Sequence, residues 1–210
     1  MDINRFRQMP VLGILRGVAL DRIGGVIDSL SDSGLYAIEI TMNTSGAPEI
    51  IKEAIKAANG HMAVGAGTVI DKETLKAALD SGATFIVTPV LVEDVVSYCV
   101  KKSIPVFPGA FSPYEIYKAW QAGATMVKVF PAGVLGPKYF REIKGPFKDV
   151  ELLACGGVTP DNLKDYFSNG ADAVAFGASV FKREWLETRD FHSISASVRS
   201  FVEAYKACQN

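Results

Sequence analysis

Two charged residues fall inside otherwise apolar runs. Lys128 sits in Met126–Pro131 (MVKVFP) and Glu39 in Ala37–Met42 (AIEITM). Burying a charge in an apolar wall is costly, so each invites a chemical reading. Desolvation disfavours a lysine ammonium, and a nearby Arg16 would push it further toward the free amine. A free amine attacks a carbonyl to form a Schiff base, and a neighbouring carboxylate can shuttle the protons. The bland alternative is a structural ion pair, which adds little net stability over apolar replacements. Arg16 ends the run Val11–Arg16 (VLGILR) and completes the charged set. Glu151 opens another run and is expected at the opposite rim, in solvent.

Strand periodicity gives these side chains a direction. Met126, Lys128 and Phe130 share one face, Val127 and Val129 the other; Ala37, Glu39 and Thr41 alternate with Ile38 and Ile40. The Val and Ile sets suit outer helices, so Lys128 and Glu39 are expected to point inward. Gly156-Gly157 and Gly177-Ala178-Ser179 close two later runs. Glycine backbone N–H groups followed by a helix N-terminus form an anion cradle; the bland alternative is that they only make turns. Gly65-Ala66-Gly67-Thr68 begins like a dinucleotide fingerprint without its third glycine, a weak match. Its small residues are expected to leave space for a substrate, with Thr68, Thr88 and Pro89 at the same mouth.

The elements that must position these residues repeat. Eight short β-branched runs alternate with helical stretches: Val11–Arg16, Ala37–Met42, Met62–Val69, Phe85–Val90, Ile104–Gly109, Met126–Pro131, Val150–Gly157 and Ala173–Gly177. Ser112-Pro113-Tyr114-Glu115 has capping-box spacing, Thr159 before Pro160 reads as an N-cap, and Asp71 fits the N-cap of a helix over Lys72–Ser81. Gly82, Gly123 and Gly170 are expected just past helix ends. The last helix is expected over Ile194–Ala207, and a short one before the first strand. The alternation means a parallel sheet covered by helices. A doubly wound open sheet is the alternative; eight even units favour a compact (βα)8 TIM barrel as a single domain over 1–210, with its active site at the C-terminal ends of the strands.

The 210 residues carry 22 Lys+Arg against 23 Asp+Glu, a net charge of −1. That balance argues against a nucleic-acid or anionic-membrane partner. No apolar run approaches the ~18 residues of a membrane span, and the first ten residues lack a signal-peptide core. Cys99, Cys155 and Cys208 form no paired spacing, which fits a reducing cytosol. His61 and His192 are far apart, so no His-based metal cluster is visible.

Taken in order, Ile14-Leu15-Arg16-Gly17, Glu39-Ile40-Thr41, Gly65-Ala66-Gly67-Thr68-Val69, Thr88-Pro89, Pro108-Gly109, Lys128-Val129-Phe130-Pro131, Lys144-Gly145-Pro146-Phe147 and Gly156-Gly157-Val158 resemble the KDPG/KHG aldolase family over nearly the whole chain. The resemblance implies a class I aldolase that cleaves a 2-keto-3-deoxy-6-phospho sugar acid to pyruvate and glyceraldehyde 3-phosphate. It places the Schiff-base lysine at Lys128, the acid/base at Glu39 and phosphate-binding glycines at Gly156 and Gly157. Gly177 and Ser179 match the family's Gly-x-Ser, and Thr68, Thr88, Pro89 and Phe130 the pyruvate end. It also implies a cytoplasmic homotrimer that needs no metal or cofactor. Two departures stand out. Asn43 replaces an Arg found in many members, leaving Arg16 to hold the substrate carboxylate, a combination similar to the 2-keto-3-deoxy-6-phosphogalactonate branch. Ala154-Cys155 replaces Pro-Thr. A 2-keto-4-hydroxyglutarate substrate, an isomerase without a Schiff base and a catalytically silent barrel are the alternatives.

Overall fold

The structure, a computed structural model, describes residues 1–209. Strands and helices alternate along most of the chain. The strands are β1 (Val11–Leu15), β2 (Ala37–Thr41), β3 (Ala63–Gly67), β4 (Ile86–Val87), β5 (Val106–Phe107), β6 (Gly109–Ala110), β7 (Val127–Val129), β8 (Leu152–Cys155) and β9 (Ala173–Phe176). The helices are α1 (Ile3–Gln8), α2 (Leu20–Leu30), α3 (Ala47–Ala58), α4 (Lys72–Asp80), α5 (Glu93–Lys101), α6 (Pro113–Gln121), α7 (Ala132–Leu135), α8 (Pro137–Lys144), α9 (Leu163–Ser168), α10 (Arg183–Thr188) and α11 (Phe191–Cys208).

All strand pairs are parallel, in the order β5-β4-β3-β2-β1-β9-β8-β7-β6. Nine segments appear where eight strands were expected because Pro108, which lacks an N–H, splits the fifth into β5 and β6. The two halves still join the ends of the sheet. Thr88 N–H donates to the Phe107 carbonyl at 3.2 Å on one side, and Lys128 N–H to the Pro108 carbonyl at 2.9 Å on the other. The sheet is thus a TIM-type barrel.

Two apolar layers follow from the strand alternation. Outward residues such as Ile38, Ile40, Val127 and Val129 pack against the helices. Helix α2 supplies Ile23, Val26, Ile27 and Leu30, a spacing that puts all four on one face. Inward residues, among them Leu12, Phe85, Val87, Phe107, Met126 and Leu153, fill the lumen. Phe6 of α1 joins them from the N-terminal end, its ring 5.9 Å from that of Phe107.

The local signals fared unevenly. Asp71 with Thr74, and Ser112 with Glu115, form the expected capping boxes. Gly82, Gly123 and Gly170 follow their helices at φ of 90°, 93° and 95°. The Thr159 N-cap is corrected: α9 starts at Leu163, because Asn162 and Thr159 bond reciprocally around a turn that holds Pro160. Glu151 is not free in solvent but pairs with Arg7 of α1 at 2.6 Å.

Candidate active site

Lys128 leaves the middle of β7 between Val127 and Val129, both fully buried in the outer layer, and so points into the lumen with only 7% exposure. Its Nζ lies 5.3 Å from the centroid of the Phe130 ring, within reach of a cation–π contact. Glu39 leaves β2 between Ile38 and Ile40 in the same way and is 1% exposed. Three strands separate β2 from β7 by way of β1, and the other way lie β3, β4 and the split strand. Glu39 and Lys128 therefore face each other from opposite walls.

The Glu39 carboxyl is unusual in two respects. Burial pushes its pKa up, and the positive charges of Lys128 and then Arg16 pull it only part of the way back. Its Oε2 is buried without a hydrogen-bond partner. A carboxyl whose burial favours the protonated form and which has an open oxygen suits proton transfer.

Gly67 explains where the carboxyl rests. The Cα partner of Glu39 is Gly65, and that of Thr41 is Gly67, so the side chain leans one layer toward the C-terminal mouth. A Cβ on Gly67 would come within 2.6 Å of the Glu39 Cδ. A Cβ on Gly65 would come within 2.5 Å of the Phe85 ring. The small residues of β3 thus make room for the protein's own carboxyl and ring; they do not leave open substrate space as the sequence had suggested.

Arg16 lies one residue beyond β1, not within it, and is exposed at the mouth. Gly17, at φ 72°, donates its N–H to Thr44 Oγ1 at 3.0 Å, and Thr44 shares a hydrogen bond with Thr41 at 3.0 Å. The Arg16 turn is pinned to the end of β2 through Thr41, already part of the inward strand face, and Thr44, which sequence reasoning passed over. Asn43 is exposed in the adjoining turn. Thr68 follows β3 at φ 56°, a costly conformation for a β-branched residue and one that clusters at functional sites. Thr88 is fully buried, and its hydroxyl donates to the Val90 carbonyl, so it braces the end of β4. Pro89 beside it is half-buried.

A cavity of about 340 Å³ opens at this end, bounded by Arg16, Phe130, Cys155, Gly156, Gly157, Gly177 and Ser179. Gly156 and Gly157 have φ of 88° and 84°, which glycine adopts without strain. Their carbonyls accept from Gly133 N–H at 2.7 Å and Asn162 Nδ2 at 3.0 Å. The N–H groups of Gly157, Val158, Ala178 and Ser179 have no acceptor among the described residues, which suits an oxyanion. The donors are loop amides. The helix N-termini expected behind them stand further off, since α9 begins at Leu163 and α10 at Arg183. Cys155, unassigned from sequence beyond being a departure, turns inward beside Lys128; burial pushes its thiol pKa up, against the pull of the Lys128 charge. Among the described residues, no three His, Cys, Asp or Glu side chains gather as a metal site.

An inward lysine, a proton-ready carboxyl and an amide-lined anion cradle at one barrel mouth are the parts of Schiff-base chemistry on a phosphorylated carbonyl compound. The family model for KDPG and KHG aldolase matches residues 3–197. The chain belongs to that family. Its relatives include the 2-dehydro-3-deoxy-6-phosphogalactonate aldolase of Escherichia coli strain K12, 30% identical over 94% of this chain and 97% of the relative. The 2-dehydro-3-deoxy-phosphogluconate aldolase of Pseudomonas aeruginosa is 35% identical over 91% and 89%. A solved structure described as native KDPGal superposes with a TM-score of 0.89 at 29% identity, covering 95% of this aldolase and 96% of that chain. No helix of this aldolase is long and apolar enough to cross a membrane among the described residues.

Proposed function

We propose that this aldolase cleaves a 2-keto-3-deoxy-6-phospho sugar acid to pyruvate and glyceraldehyde 3-phosphate through a Schiff base on Lys128. The observation that carries the reading is the pairing of two buried, inward charges from opposite walls, Lys128 on β7 and Glu39 on β2.

The Lys128 amine adds to the C2 carbonyl. Glu39 relays the protons that turn the carbinolamine into an iminium with loss of water. The iminium is the electron sink for C3–C4 cleavage. As Glu39 takes the proton from the C4 hydroxyl, that oxygen forms the aldehyde carbonyl and the C3–C4 electron pair moves to the enamine. Protonation of the enamine at C3 and addition of water then release pyruvate and the free lysine. Arg16 holds the C1 carboxylate by a charge-assisted contact, with Asn43 beside it. Thr68, Pro89 and Phe130 border the keto-acid end, and Thr88 supports it from behind. The phosphate rests on the amides around Gly156, Gly157, Gly177 and Ser179. The reading includes a homotrimer in the cytoplasm.

The test is pyruvate release from the gluconate- and galactonate-derived phosphates beside unphosphorylated 2-keto-4-hydroxyglutarate. At least one phosphorylated acid is expected to show the higher kcat/KM, with the galactonate type ahead because the Arg16 and Asn43 combination is similar to that branch. Preference for the unphosphorylated acid would contradict the phosphate assignment.

A further inference from the structure

A second cavity shares a wall with the first. It has a volume of about 360 Å³ and opens between the loop after β1 and the segment after β9, with Arg16, Arg22, Phe181, Arg183, Leu186 and Glu187 around it. Three guanidiniums face one carboxylate there, and their existing partners leave donors over. Arg183 is committed to Glu187 at 2.6 Å. The Arg22 plane is fixed by an Nη1–H donated to the Leu186 carbonyl at 3.1 Å, while its Nε is buried without a hydrogen-bond partner. The nearest Asp21 oxygen is 3.8 Å from that Nε, and the other Asp21 oxygen accepts from Arg189 at 2.7 Å. Arg16 has no carboxylate oxygen within 4.0 Å among the described residues.

A guanidinium presents its N–H groups in a planar fork that matches phosphate oxygens. Arg16 and the terminal nitrogens of Arg22, whose Nε is shielded from the cavity, supply the open donors, and the cavity volume lies at the small end for ligand sites. We propose that this side cavity is a second anion site, which takes a compact phosphate group between Arg16 and Arg22. Its guanidiniums distinguish it from the glycine cradle, which uses backbone amides around Gly156 and Gly157, while Ile14, Arg16 and Ala178 line both cavities. Because Arg16 borders both cavities, an anion in the side cavity competes with the keto-acid carboxylate for one guanidinium and slows cleavage. That consequence rests on the proposed role of Arg16; the binding site itself does not.

Inorganic phosphate and glycerol 3-phosphate, titrated separately by calorimetry, distinguish a free from an esterified source. Wild type is expected to show a binding event that Arg22→Met weakens roughly tenfold or more, with kcat/KM for the sugar acid unchanged when no phosphate is added. Tungstate soaked into wild-type crystals gives a second readout that needs no variant, and its anomalous peak is expected between Arg16 and Arg22. Identical isotherms for wild type and a folded Arg22→Met, or tungstate in the glycine cradle alone, would overturn the site. If Arg22→Met weakens binding but phosphate never slows cleavage at low sugar acid, the site stands and the carboxylate role of Arg16 fails.

Discussion

The two ends of the barrel are built on opposite terms. At the N-terminal end, α1 closes the lumen with Phe6, whose ring meets Phe107, which in turn meets Phe85 edge-on. Polar groups there are partnered: Asp2 caps α1, the terminal ammonium donates to the Thr84 carbonyl, and Arg7 forks onto Glu151. At the C-terminal end, Glu39 Oε2 has no partner, Thr68 has a left-handed backbone, and loop amides face an open cavity. One end satisfies its groups and the other leaves them open. Stability and reactivity are separated along the barrel axis, so substitutions at the two ends should fail in different assays.

The largest separation is expected from Glu39→Gln. Turnover should fall by roughly 10²–10⁴, the usual worth of general acid–base help. Stability should move the other way. The folded protein holds the Glu39 proton more tightly than the unfolded chain, so ionisation costs stability as pH rises through the raised pKa. Glutamine carries no such cost. The variant should be more stable than wild type at neutral pH, and the gain should vanish below about pH 4. Thermal melts across pH check this, and a variant less stable at every pH would contradict it.

Phe6→Ala is the mirror experiment. Removing a fully buried ring should cost about 3–5 kcal/mol by urea denaturation, while kcat of the folded enzyme stays at the wild-type value. A selective loss of kcat would show that the plug and the site are coupled.

A smaller, more local effect is expected from Gly67→Ala. The new methyl group would occupy the place of the Glu39 carboxyl, and a displacement of about 1 Å can cost about 10²-fold in rate. The pH profile of kcat should change with it, and adding Glu39→Asp should recover part of the loss by making room. A Gly67→Ala enzyme with wild-type kcat would show that the carboxyl position does not matter.

Much of this was legible in the chain. Period-two alternation around Lys128 and Glu39 gave the direction of both side chains, because a strand leaves only two faces. The Asp71 and Ser112 caps and the glycines after α4, α6 and α9 depend on neighbours within a few residues, so local reading found them. Effects that depend on distant partners were not visible. The fit of the Glu39 carboxyl over Gly67, the Phe6 plug and the Thr41–Thr44–Gly17 link each join residues on different elements. The split at Pro108 and the late start of α9 are local yet were missed. In both, a proline read as ordinary punctuation met competing bonds: strands on both sides of 105–110, and the Asn162–Thr159 exchange.

The central claim is that the Lys128 amine bonds covalently to a keto acid. Borohydride reduction in the presence of pyruvate, followed by peptide mass spectrometry, tests it directly. One pyruvate-derived adduct, on Lys128, is expected, and none in a folded Lys128→Met variant. No adduct on a folded wild-type protein, or an adduct on a different lysine, would contradict it.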